Sequence, residues 1–170
     1  MVPKRLMRFE IQHVFSGLDL TEYEALYFDE PFNEAVSEAL RMGRKLLRLE
    51  RTATKILRHV CFEPRREAGS PADQAFGTSR ASFVEELEYD AVARCGTWRT
   101  IPNLFTERVR NSGTIAFQRE VGGTRRVVRG EIRVSLFGFG GIVERMIVSE
   151  IEKNYAATTR FTLDYLSRPR

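Results

Sequence analysis

Residues 125–166 read RRVVRGEIRVSLFGFGGIVERMIVSEIEKNYAATTRFTLDYL, and the change of period inside that run decides the fold. Up to Leu136 the period is two. Arg126, Val128, Gly130, Ile132, Val134 and Leu136 share one face, while Arg125, Val127, Arg129, Glu131, Arg133 and Ser135 share the other. That is an antiparallel strand with one wet face. Phe137-Gly138-Phe139-Gly140-Gly141 then turns the chain, and the spacing becomes helical. Val143, Ile147, Ile151 and Tyr155, followed by Phe161 and Tyr165, form an apolar stripe, with Glu144, Glu152, Lys153 and Arg160 mostly outside it. The spacing predicts a helix over Gly141–Leu166, longer than the average helix of globular proteins.

Upstream the chain is rich in strands. Phe9, Ile11, His13 and Phe15 alternate with Arg8, Glu10, Gln12 and Val14, and Gly17 ends this first strand. Asp19 or Thr21 caps a helix next, Thr21 with Glu24 fitting a capping box. Pro31 divides the helical stretch in two, since proline suits a helix start but not its interior, and Gly43 closes the second piece. Arg44–Glu63 reads as two strands around a turn at Thr52–Lys55, and residues 64–80, with Pro64, Gly69, Pro71 and Gly77, read as a loop. Phe83, Glu85, Leu87 and Tyr89 mark one further strand, and Trp98 lies in the next, Arg94–Ile101, stopped by Pro102-Asn103. Ile115, Phe117, Arg119 and Val121 follow, joined to the final strand by a hairpin turn at Gly122-Gly123. Segregated strands and helices indicate an α+β fold: a seven-stranded antiparallel sheet curved around the C-terminal helix, with two short helices after the first strand.

Composition narrows the function classes. The 170 residues suit one domain, expected over residues 8–168, with short tails at 1–7 and 169–170. With 42% hydrophobic and 29% charged residues the chain is not a disordered one. No apolar run is long enough to span a membrane, and the basic start Met1–Arg8 lacks the apolar core of a signal peptide, so a cytoplasmic location is expected. Cys61, Cys95, His13 and His59 do not make a structural zinc site, and no motif for a nucleotide or other cofactor is present. Arginine is the odd count, but no run of five bases exists and the aromatics do not interleave with arginine, which argues against nucleic acid. Charge is segregated instead. Residues 16–40 hold Asp19, Glu22, Glu24, Asp29, Glu30, Glu34 and Glu38 and no base, whereas residues 41–66 are strongly basic.

This arrangement resembles the START-like, or polyketide cyclase-like (SRPBCC), superfamily with its helix-grip fold. The resemblance runs from Arg8 to Leu166 and is carried chiefly by Tyr23–Phe28 with Asp29 and by Val127–Gly141 with Ile142-Val143-Glu144. The latter is similar to the glycine-rich turn and Glu-bearing helix start of an uncharacterised bacterial branch. Members of the superfamily include lipid carriers, hormone receptors, cyclases and chaperone activators, so the resemblance implies a fold rather than a chemistry.

The expected function is binding of a hydrophobic or amphipathic small molecule between sheet and helix, as carrier or sensor. Phe9, Ile11, Phe83, Leu87, Tyr89, Trp98, Phe117, Ile132, Val134, Ile147, Ile151 and Tyr155 form the expected wall, with His13 and Glu85 as polar anchors on the same faces. The alternatives are a cyclase- or dehydrase-type enzyme using His13 and Glu85 as acid and base, or a filled-core interaction module. A buried carboxylate needs a partner, and Arg58 and Arg119 are the candidates for Glu85. Arg125, Arg129 and Arg133 make a positive outer stripe that can meet a membrane surface or partner protein, or can pair with Glu131 and Glu120.

Overall fold

A computed structural model describes residues 6–65 and 81–168. In chain order the elements are β1 (Met7–Ser16), α1 (Leu20–Tyr27), α2 (Glu30–Ala39), β2 (Met42–Arg51), β3 (Lys55–Pro64), β4 (Phe83–Asp90), β5 (Cys95–Pro102), β6 (Val109–Glu120), β7 (Gly123–Val134) and α3 (Gly140–Ser167). All seven strands form one antiparallel sheet in the order β1-β7-β6-β5-β4-β3-β2. β1 and β2 are therefore its two edges, and α1 and α2 carry the chain from one edge to the other. The expected helix-grip α+β architecture is the one observed.

Local chemistry explains the short helices, with two corrections. The capping box is Asp19–Glu22, not Thr21–Glu24: Asp19 accepts from the amides of Thr21 and Glu22 at 2.8 and 2.9 Å, and Glu22 accepts from the Asp19 amide at 3.0 Å. Glu24 is used elsewhere, accepting the Tyr89 hydroxyl at 2.5 Å. Asp29 caps α2 through the Phe32 amide at 2.9 Å, with Pro31 in the first turn as expected. Gly43 does not close α2. The helix ends at Ala39, Arg41 takes the left-handed conformation (φ 55°), and Gly43 lies within β2.

At the β6–β7 hairpin the two-residue turn is Val121-Gly122, one residue earlier than Gly122-Gly123. Only Gly122 needs positive φ, 73°, while Gly123 pairs with Ser16. Val121 consequently leaves the strand face assigned to it and is exposed. Pro64 ends β3 rather than opening the loop, and the rest of that expected loop from residue 66 lies outside the described residues.

The long helix is 28 residues, and its principal packing partners are β1, β7 and α2. The core is densest at the α1 end, where Phe15, Tyr23, Phe28, Tyr89 and Phe117 pack ring against ring at centroid distances of 4.3–5.4 Å. Phe32 meets Phe161 and Tyr165, which ties α2 to the end of α3. One residue of the expected outer helix face is misplaced: Glu144 is buried, and its Oε1 accepts from the Val134 amide at 2.8 Å. Cys61 is half-buried and Cys95 exposed, and both are free.

Candidate functional site

Strand register sorts the inner sheet face into rows. Leu87, Trp98, Gly113, Gly130 and Phe9 make one row. The two glycines open the space that the Trp98 and Phe9 rings cover, their centroids 6.2 Å apart. A Cβ on Gly130 would stand 2.3 Å from Phe9 Cζ and 2.9 Å from Trp98 Cζ2, so only glycine fits there. The neighbouring row is polar: Glu85, Thr100 and Asn111 stand side by side on β4, β5 and β6, ending at Ile132. Asn111 Nδ2 donates to Thr100 Oγ1 at 3.0 Å, and Asn111 Oδ1 is buried without a partner.

Two buried arginines organise the other polar groups. Arg126, 2% exposed, donates to the Tyr23 hydroxyl at 3.2 Å, to Thr159 Oγ1 at 3.1 Å and to His13 Nδ1 at 3.2 Å. Its guanidinium lies over the rings of Phe15 and Tyr155, 5.2 and 4.7 Å from their centroids. No carboxylate pairs with it among the described residues, and its Nε is buried unpartnered. Arg58 donates to the Tyr27 carbonyl at 3.2 Å, reaches Glu85 Oε1 at 3.6 Å, and covers the rings of Tyr27 and Phe28. Glu85 thus has Arg58 as its partner, while Arg119 is exposed at the end of β6.

Tyrosines fill the gap between the arginines. Burial pushes the Tyr23 hydroxyl up to about 12, against the pull of Arg126. Burial also raises Tyr27, whose hydroxyl feels Arg58, Glu85 and Arg126 together, and raises Tyr155 well above the usual range beside Tyr27, Glu85 and Arg126. Burial, with the Glu24 hydrogen bond second, raises Tyr89 in the same sense. His13 goes the other way: burial first, then Arg126, lower it from 6.5. At neutral pH Tyr23, Tyr27, Tyr89 and Tyr155 are therefore neutral phenols and His13 is a neutral imidazole.

Among the expected wall residues, Phe9, Ile11, Leu87, Tyr89, Trp98, Phe117, Ile132 and Val134 are buried on the inner face. Phe83, its ring tilted against Phe62 at 5.4 Å, and Ile147, Ile151 and Tyr155 of α3 are only half-buried. His13 and Glu85 sit on β1 and β4 with three strands between them, at about 4.8 Å per strand step. Each has a different arginine partner, Arg126 for His13 and Arg58 for Glu85. Arg126, Tyr23, Tyr27, Thr159 and Asn111 were not among the expected site residues. Only Arg126 carried a signal, its alternation with Val128 and Ile132 on the apolar face.

A separate depression of about 770 Å³ lies on the outer sheet face, between Arg8, Glu86, Glu88, Arg99, Arg129 and Glu131. Its charges neutralise one another, Arg99 on Glu86 at 2.5 Å and Arg8 on Glu131 at 4.0 Å, so it is a solvated ion-pair surface rather than an apolar pocket. Two arginines of the outer stripe are neutralised in the same way, Arg125 by Glu120 and Arg129 by Glu10 at 2.6 Å, while Arg133 has no ion-pair partner among the described residues. Among the described residues no cluster of His, Cys, Asp and Glu is arranged to hold a metal, and no helix is long and apolar enough to cross a membrane.

Comparison with solved structures gives the same architecture. TTHA0849 from Thermus thermophilus superposes with a TM-score of 0.62 at 15% identity, over 96% of this chain and 100% of that one. Zhui aromatase/cyclase from Streptomyces sp. R1128 gives 0.58 at 11% identity, covering 94% and 93%. Norcoclaurine synthase from Thalictrum flavum gives 0.55 at 14% identity, covering 93% and 88%. The fold is that of the START-like, polyketide cyclase-like (SRPBCC) proteins. A search of the curated proteins finds no match. Residues 19–166 match the family described as "Protein of unknown function (DUF2505)", and the chain belongs to it.

Proposed function

We propose that this protein binds an amphipathic small molecule between the inner sheet face and α3, as a carrier or sensor. One observation carries the reading: Ile151 and Tyr155 of α3 lie against the apolar core and yet, like Ile147 one turn before them, stay half-buried. A stripe closed onto a finished core would be buried throughout. The apolar body of the ligand lies along Phe83, Ile147 and Ile151. Its polar end meets Glu85 and the buried hydroxyls of Tyr27 and Tyr155. Structural neighbours named as an aromatase/cyclase and a synthase support a fold suited to small organic molecules. Carrier is preferred to enzyme because the candidate acid and base, His13 and Glu85, stand on non-adjacent strands and each is engaged by its own arginine.

Native mass spectrometry of the purified protein, together with titration by the fluorescent apolar probe anilinonaphthalene sulfonate, tests the reading. The expected result is a copurified small molecule or a saturable probe site, weakened at least tenfold by Ile151→Trp, which fills the space. A protein with no adduct and no saturable probe site is instead a filled-core interaction module.

A further inference from the structure

The end of the sheet opposite α1 carries an apolar surface that the fold does not use. Phe137 is 100% exposed, Phe139 66%, Ile142 50% and Met146 39%, all within the turn after β7 and the first turns of α3. Exposed large apolar groups this close together mark a contact surface. The turn itself projects into open space: Gly138 has φ 78°, and a Cβ on Gly138 or Gly141 would meet nothing within 4 Å.

The charges beside it are mostly basic. Arg110 and Arg133 stand directly opposite each other in the β6–β7 register, an arrangement that repels unless an anion lies between or above them. Both are exposed, and neither has an ion-pair partner among the described residues, in contrast to Arg125 and Arg129 on the same strand. Arg108 and Arg145 are exposed nearby on the chain. Of the neighbouring acids, Glu144 is buried on the Val134 amide and Glu131 lies 4.0 Å from Arg8, which leaves exposed Glu107 against the four arginines.

We propose that this tip docks on the surface of an anionic lipid bilayer. Phe137 and Phe139 enter the headgroup layer, where aromatic side chains are favoured, and Arg110 and Arg133 contact lipid phosphates. An apolar tip ringed by unneutralised arginines complements such a surface better than an acidic protein face, which offers nothing for two exposed phenylalanines on a glycine-flanked turn. The inference does not depend on a ligand inside the grip, since docking needs only the outer side chains.

Cosedimentation with vesicles of equimolar phosphatidylcholine and phosphatidylglycerol tests it against vesicles of phosphatidylcholine alone. The protein is expected to sediment with the anionic vesicles only and to be released as salt is raised. Phe137→Ser with Phe139→Ser, and separately Arg110→Glu with Arg133→Glu, are expected to weaken association at least tenfold. Both pairs are exposed, and unchanged thermal melting confirms that the variants fold. In Phe137→Trp the emission of the new indole is expected to shift to the blue on adding anionic vesicles. Equal partition onto neutral vesicles, association untouched by either pair of substitutions, or no association at all overturns the proposal. A negative result here leaves the mass-spectrometric test of ligand binding unaffected.

Discussion

His13 Nδ1 on β1 lies 3.2 Å from a terminal nitrogen of Arg126 on β7, its direct cross-strand partner. A guanidinium can only donate, so Nδ1 is the acceptor and the ring proton sits on Nε2. The contact thus defines both the tautomer and the charge of His13. It also makes a neutral imidazole part of the cradle of a buried cation that has no carboxylate among the described residues.

Stability should therefore fall on mild acidification. The folded-state pKa of His13 is depressed below 6.5, so between that depressed value and 6.5 the unfolded chain binds more protons than the folded one. Its contribution is complete above about 6.5 and is lost as pH falls through that value, levelling off below the folded pKa. Urea midpoints measured across this range are expected to decline toward acid in the wild type, and His13→Asn should remove that part of the slope. An unchanged slope in the variant would assign the acid sensitivity to other groups.

Arg126 is expected to tolerate methionine better than lysine. Methionine removes a buried charge that no carboxylate offsets while keeping much of the volume, and such replacements are often close to neutral. Lysine keeps a more strongly hydrated charge but loses the planar fork that serves Tyr23, Thr159 and His13 and stacks on Phe15 and Tyr155. Arg126→Lys should cost about 2–4 kcal/mol in urea unfolding, through bonds to a charged donor, and Arg126→Met less. The reverse order would mean that the charge itself matters more than its geometry.

Gly130 and Gly113 make a paired test of the inner face. A methyl on Gly130 strikes the Phe9 and Trp98 rings, whereas one on Gly113 would stand 1.9 Å from the backbone oxygen of Arg129. Gly130→Ala should destabilise by about 1–3 kcal/mol, the usual range for overpacking, and Phe9→Leu should restore part of that loss. Gly113→Ala forces two strands apart and should cost more, with no rescue by Phe9→Leu. Chemical denaturation of the three single variants and two doubles decides it.

The fold could be read because it depends on periods, and the interior could not because it depends on partners. Alternation across Arg125–Val134 sorted the two faces of β7, and Arg125 takes the expected Glu120, but Arg129 takes Glu10 from β1 rather than Glu131. The capping box shows the limit. Asp19–Glu22 and Thr21–Glu24 both satisfy the local pattern, and what separates them is Tyr89, which needs Glu24 from 65 positions away. Alternation put Arg126 on the apolar face, but nothing local predicts that Tyr23, Thr159 and His13 come from three other elements to receive it. Glu144 was misplaced for a similar reason. A helical projection puts it outside, but the Phe137–Gly141 reversal tucks the first turn of α3 beneath the end of β7.

That tuck yields the sharpest stability test. Phe139, at the N-cap of α3, makes no side-chain capping bond, so the helix start lacks the usual anchor. Glu144 supplies it from inside the helix: its carboxylate, 8% exposed, accepts from the Val134 amide at 2.8 Å and clamps the turn between β7 and α3. Glu144→Gln retains an acceptor oxygen and should lose about 0.5–1.5 kcal/mol, the difference between a charged and a neutral bond. Glu144→Ala leaves a buried amide unpaired and should lose about 2–3 kcal/mol, the penalty for such a group plus the deleted side chain. Hydrogen exchange locates the effect. The Val134 amide should remain protected in Glu144→Gln and exchange fast in Glu144→Ala, while the Val128 amide in the middle of β7 should follow only the global stability of each variant. Equal protection of Val134 in both would show that the strand, not Glu144, holds this amide, and that α3 starts without a clamp.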